Sequence, residues 1–176
     1  MTAMPAILQI ALASAFPIMM VVAAMTDLTT YTIPNWISLA LIGAFLALAV
    51  AVGMPWAAFG GHLAVGAAAL VAGMALFAVG WVGGGDAKLL AAACLWLGWP
   101  TTQAFLLDTA MAGGVLALVL LVARKDMVRA YVPLRQGWIH RLATPGEPAP
   151  YGVAIAIGAL AAFPASELMR VMHLSA

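Results

Sequence analysis

The run AILQIALASAFPIMMVVAAM, residues 6–25, carries twenty residues without one charge. A helix needs about twenty consecutive apolar residues to cross the hydrocarbon core of a bilayer. The pattern recurs down the chain. Further apolar stretches run roughly from Trp36 to Val52, Ala57 to Val82, Ala87 to Trp99, Thr101 to Ala123 and Tyr151 to Leu168. Turn chemistry separates them at Ile33-Pro34-Asn35, Gly53-Met54-Pro55, Gly83-Gly84-Gly85 and Trp99-Pro100. Composition agrees: of 176 residues, 66% are hydrophobic and 7% charged. A soluble domain carries about 25% charged residues, so this chain has too few to cover a surface in water. The reading is an all-α polytopic membrane protein with about six transmembrane helices, in one integral-membrane domain over residues 1–176. Lipid leaves an open chain no alternative to the helix. The fourth stretch is short for a span, and is expected to tilt, to start at the membrane surface or to borrow length from its flanks.

Charge sets the expected topology. Five of the seven basic residues, Arg124, Lys125, Arg129, Arg135 and Arg141, fall between the fifth and sixth stretches. Basic loops stay in the cytoplasm, so the loop of about residues 124–150 is expected there. Counting back by alternation puts the loops after the first and third stretches on the same side, with both termini on the outer side. Lys88 agrees and Arg170 dissents. Tyr131, Trp138 and Ile139 among the loop's basic residues suit either an amphipathic segment on the membrane surface or an ordinary solvated loop. The loop's basic character also suits acidic headgroups or a partner. No basic residue precedes the first apolar run, so it is read as a retained helix, not a cleaved signal. Net charge is +1, which gives no footprint for a nucleic-acid partner. The single cysteine, Cys94, excludes an internal disulfide and a cysteine-based zinc site.

Two of the six acidic residues stand at span ends. Asp27 closes the first stretch, and Asp86 follows Gly83-Gly84-Gly85 to open the fourth. Two spans separate them, so both carboxyls reach one membrane face, here the cytoplasmic one. An ionisable group at a membrane span is costly and marks a functional site by default. Two carboxyls close together share one proton. The ionised member takes a proton from water and the protonated member donates to a peptide carbonyl. Such a pair titrates as a unit, so neither aspartate is given a fixed role. This chemistry needs no metal and no cofactor. The glycine triplet disfavours rigid helix, so a bent loop is expected, with backbone groups free to pair with an extended substrate. Lys88 either holds one carboxyl ionised or simply marks the cytoplasmic side.

At these residues the sequence resembles the type IV prepilin peptidases, a branch of the GxGD intramembrane aspartic proteases. The GxGD motif reads Gly83-Gly84-Gly85-Asp86, followed by Ala87-Lys88-Leu89-Leu90. The partner motif runs from Asp27 to Ile33-Pro34-Asn35. A third family-like element is Pro150-Tyr151-Gly152-Val153-Ala154-Ile155. Each is short alone; the three in order across six stretches are specific. The resemblance implies that Asp27 and Asp86 are catalytic, with Gly83, Gly84, Gly85, Lys88, Pro34 and Asn35 in support. It implies removal of the leader from a prepilin, after a glycine, at the cytoplasmic face of the bacterial inner membrane. Larger members carry an N-terminal cytoplasmic domain with paired cysteines, associated with N-methylation. Such a domain is missing here, so the chain resembles the short, peptidase-only CpaA/TadV type that serves Flp/Tad pili. The segment after Asp27 is often basic in relatives, whereas Thr29, Thr30, Tyr31 and Thr32 are uncharged.

Other polar residues get plainer readings. Asp108 lies inside the fifth stretch and is expected to bond within the bundle. His62 is expected at the outer interface. The three histidines share no spacing, which argues against a metal site. Asn35 is expected to cap the second helix and help place the Asp27 loop. Gly60, Gly61, Gly66 and Gly73 are expected to mark a close-packed face of the third helix. The six tryptophans are expected mostly at the interfaces. Two rivals to the enzyme stay open: a small transporter using the aspartates for protons or cations, and a scaffold subunit of a secretion machine. Oligomeric state is not legible.

Overall fold

A computed structural model describes residues 6–125 and 138–174. The chain forms α1 (Ala6–Thr30), α2 (Asn35–Ala51), α3 (Trp56–Ala78), α4 (Gly84–Leu97), α5 (Thr101–Ala123), a short α6 (Trp138–Leu142), α7 (Tyr151–Ala162), a 3₁₀ turn (Phe163–Ala165) and α8 (Glu167–Leu174). There is no strand among the described residues. Among the described residues, four helical segments are long and apolar enough to cross a membrane: Ala6–Thr30, Trp56–Ala78, Thr101–Ala123 and Tyr151–Met172. The chain is a multi-pass membrane protein. Tyr131, Arg129 and Arg135, on which the reading of an amphipathic basic loop leaned, lie outside the described residues.

The short fourth stretch has a different explanation from tilt or borrowed flanks. Helix α4 has 14 residues, or about 21 Å of helix, and its side chains from Leu89 to Leu97 are almost all buried, with Leu90 the partial exception. It packs against α3 above all, and also against α2, α5 and α7. It is the core of the bundle, sheltered by its neighbours instead of by lipid. Close approach to α3 depends on Gly66 and Gly73. A Cβ at either would come within 3.0 Å of Leu95 or Ala87, so these two carry the small-residue contact. Gly60 and Gly61 face open space and do not.

Trp96 departs from the interfacial expectation. It is fully buried, meets Phe16 at a tilt and Phe45 and Phe163 edge to face, and donates its indole N–H to the Leu41 carbonyl at 2.8 Å. That bond satisfies the one polar atom such a core tryptophan has. Trp36, Trp56, Trp81 and Trp99 are exposed near helix ends, as expected. His62 is likewise buried, not interfacial. Its Nδ1 lies 2.7 Å from the Leu95 carbonyl, and its Nε2 lies 3.8 Å from the Glu167 carboxylate.

The two ends of the bundle are chemically distinct. One end gathers Gln9 against Ala51, His62 against Leu95 and Thr101 against Ala165. The other gathers the end of α1, the starts of α2, α4 and α7, and the end of α5. Both aspartates of the sequence reading lie at this second end.

Candidate active site

Helix α1 runs five residues past the apolar stretch that predicts it. The extension is polar, and its threonine hydroxyls bond back to the preceding turn. Thr26 donates to the Val22 and Ala23 carbonyls, Thr29 to Met25 and Thr30 to Thr26, at 2.7–3.0 Å. Such back-bonding satisfies the hydroxyls within the helix. The extra turn carries Asp27 inward, where it is 5% exposed. Tyr31 closes the helix in a left-handed conformation, φ 57°, and its N–H bonds the Asp27 carbonyl at 2.8 Å. Left-handed helix caps are usually glycine.

The glycine triplet is not the expected bent loop. Gly83 is the N-cap of α4, and Gly84 and Gly85 form its first turn. Asp86 stands at the third helical position and accepts a hydrogen bond from the Gly83 N–H, the carboxylate half of a capping box. The glycines are required by proximity. A Cβ on Gly83 would sit 2.8 Å from Asp86 Oδ2, on Gly84 3.3 Å from the Phe77 ring, and on Gly85 3.1 Å from Ile33 Cβ.

Gly152, at the start of α7, completes the arrangement. Its N–H donates to Asp27 Oδ2 at 2.7 Å across 125 residues of chain. A Cβ there would lie 2.8 Å from both Asp27 Oδ2 and Ile33 Cδ1. Ile33 is therefore a wedge between Gly85 and Gly152. The three motifs read separately from the sequence meet at this one side chain.

Asp27 and Asp86 line one cavity of about 770 Å³, with Tyr31, Phe77, Gly83 and Tyr151 among its walls. The two carboxyls are near enough for the charge of one to act on the other. Asp86 Oδ1 and the Tyr31 hydroxyl are shielded and have no hydrogen-bond partner among the described residues. Buried polar atoms without partners are rare and ask for an explanation. Pro148 and Ala149 form the cavity's rim. Arg124, at the end of α5, holds that strand of chain by donating from Nε to the Leu142 carbonyl and from Nη2 to the Pro148 carbonyl.

Two expected supporting residues lie elsewhere. Lys88 follows Asp86 by two positions, which turns it about 200° around the helix. Its Nζ donates to Asn35 Oδ1 at 2.9 Å, and both line a separate groove between α2, α3 and α4. Lys88 thus faces neither carboxyl. Pro34, not Asn35, is the N-cap of α2, and no side chain caps that helix. The Lys88–Asn35 bond ties α4 to α2 on the far side of the site. In the leader-cleavage assay that the resemblance implies, Lys88→Met is accordingly expected to change the rate by no more than about threefold, the scale of a substitution outside the reacting groups. A loss of a hundredfold in the same assay would assign Lys88 to the chemistry instead.

Sequence reading missed Tyr31, Ile33 and Gly152 as site residues. Ile33 and Gly152 were visible as motif members but had no assigned contact. Tyr31 had no signal at all, because its left-handed backbone falls on a residue type that rarely adopts it. Asp108 is partly buried in α5, outside the cavity walls.

Comparison with known proteins identifies a family. The model of the type IV leader peptidase family matches residues 14–118, which include both aspartates, Ile33 and the glycine triplet and end before Gly152. No curated protein and no solved structure matches the chain.

Proposed function

The chain belongs to the type IV leader peptidase family, and from that premise we propose that it removes the leader from a prepilin with Asp27 and Asp86 as the catalytic pair. The observation that carries this reading is their shared cavity, where Gly152 bonds one carboxyl and Asp86 Oδ1 has no hydrogen-bond partner among the described residues. The ionised aspartate takes a proton from a water molecule as the water oxygen bonds to the scissile carbonyl carbon. The protonated aspartate gives its proton to the carbonyl oxygen. Collapse of the tetrahedral intermediate then sends a proton to the leaving amine. Gly83, Gly84 and Gly85 keep the start of α4 close enough for this. Pro34, Asn35 and Lys88 fix the entry to α2 behind the site.

The site lies at the cytoplasmic face of the bacterial inner membrane, in one domain spanning residues 1–176. Support comes from the basic residues grouped at that end, Lys88, Arg124, Lys125 and Arg141. A prepilin leader would reach it there while its apolar segment stays in lipid. Both carboxyls sit at one end of the bundle and not along a path through it, which favours a peptidase over a proton- or cation-coupled transporter. The substrate is a prepilin of the Flp/Tad kind, and the new N-terminus is released without methylation.

Co-expression with such a prepilin tests this. The expected result is loss of the leader on a gel, with an unmodified new N-terminus by mass spectrometry. A leader left intact by the wild-type protein would overturn the function, and a methylated terminus would overturn the peptidase-only assignment.

A further inference from the structure

We propose that Tyr31 is a further catalytic residue, donating its hydroxyl hydrogen to the scissile carbonyl oxygen as water adds to the peptide bond. The proposal rests on the two-aspartate peptidase reading above and deepens it. Three independent observations lead to Tyr31. It lines the cavity that holds Asp27 and Asp86. Its hydroxyl is shielded from solvent yet has no hydrogen-bond partner among the described residues. Its backbone is left-handed, and no other non-glycine residue among those described shares that conformation.

Each observation has a physical meaning. A shielded hydroxyl without a partner is unfavourable in the resting protein, and becomes favourable only if something that visits the cavity accepts its hydrogen. A tyrosine in a position suited to glycine adds backbone strain, and strain of this kind concentrates where a side chain must be aimed. The position directly follows α1, four residues after Asp27, so the helix end that places the carboxyl also places the phenol. Burial, followed by the negative charge of Glu147, pushes the phenol above its ordinary value, against smaller opposing effects of Arg124 and Arg141. The hydroxyl therefore keeps its proton throughout the working range and acts as a donor, not a base.

In the addition step, the water oxygen forms a bond to the carbonyl carbon and the C=O π pair moves onto oxygen. One aspartate takes the water proton and the other supplies a proton to that oxygen. Tyr31 transfers nothing; its hydrogen bond strengthens as charge grows on the oxygen. Removing one such donor costs about a hundredfold or more in turnover.

The test uses the full-length protein in phospholipid vesicles and a synthetic leader peptide extended into its apolar segment. Tyr31→Phe is expected to lower kcat about a hundredfold, with KM within about threefold of wild type. Its melting temperature should be unchanged or higher, since the lost hydroxyl bonds nothing among the described residues. Site-specific 3-fluorotyrosine at position 31, which keeps the hydroxyl, should retain kcat within about threefold. A Tyr31→Phe protein with wild-type kcat, or with a raised KM alone, overturns the proposal. So does a lower kcat that comes with a lower melting temperature and is not restored by the fluorotyrosine. Asp27→Asn in the same assay separates the two claims: if it cleaves at the wild-type rate the peptidase mechanism fails, whereas its inactivity beside an active Tyr31→Phe sinks only the role of Tyr31.

Discussion

Asp27→Asn and Asp86→Asn are each expected to reduce leader cleavage about a thousandfold or more, the scale of losing a general acid–base group that works as part of a unit. The substitutions are nearly isosteric, so the loss should not come from unfolding. The amide introduced by Asp27→Asn retains a carbonyl oxygen that can accept the Gly152 N–H, which in the native protein meets Asp27 Oδ2 at 2.7 Å. The amide introduced by Asp86→Asn likewise keeps an acceptor for the Gly83 N–H. What neither amide can do is exchange a proton with water or with its partner. Burial penalises the charged carboxylate, so a neutral amide of the same shape is expected to leave stability little changed. Initial rates of leader loss, read beside thermal unfolding in detergent, check both halves of the expectation. A variant that still cleaves within about tenfold of wild type would contradict the assignment of that aspartate.

Gly152→Ala is expected to lower turnover about a hundredfold, the cost of displacing a reacting group by about an ångström. The added methyl would sit 2.8 Å from Asp27 Oδ2 and 2.8 Å from Ile33 Cδ1. Both are ends of side chains, so they can move, and the cost to folding stays near 1–3 kcal/mol, roughly that of modest overpacking. The carboxyl that moves is the one whose position matters. Turnover should therefore fall much further than stability does. A Gly152→Ala protein with normal turnover would show that the α7 start does not position Asp27. Glycine at the start of α7 is thus read as a spatial requirement and not as a flexible joint.

Much of this arrangement was legible in the sequence, and the parts that were not share a cause. The six apolar stretches gave the helices, because hydropathy reports what leaves water. It does not report whether the new surroundings are lipid or protein. Helix α4 reads like any apolar stretch, yet it is the buried centre, and its shortness follows from that position. Trp96 and His62 differ from expectation for the same reason: each lies near a span end in the sequence, and each is buried inside the bundle. Even crossing number placed Asp27 and Asp86 at one end, since that argument needs only counting. Their close environment needed contacts over long chain separations, as with Gly152 and Asp27. The glycine triplet was read as a loop because glycine lowers helix propensity. Ile33, Phe77 and Asp86 leave little room for a Cβ at these positions, so the glycines serve close approach while Gly84 and Gly85 form the first turn of a helix. Lys88 shows the limit of proximity in sequence. Two residues from Asp86, it is turned to the opposite side of α4 and bonds Asn35.

The pair is tested most directly by a double-mutant cycle in leader cleavage. Rates are measured for wild type, Asp27→Asn, Asp86→Asn and the protein carrying both changes, with folding checked in each. Two carboxyls that share one proton and one water act as a unit, so the three variants should fall to a common residual rate. Single variants that each keep partial activity, with a double variant slowed by the product of their separate losses, would mean that the two aspartates work independently and that no catalytic pair exists.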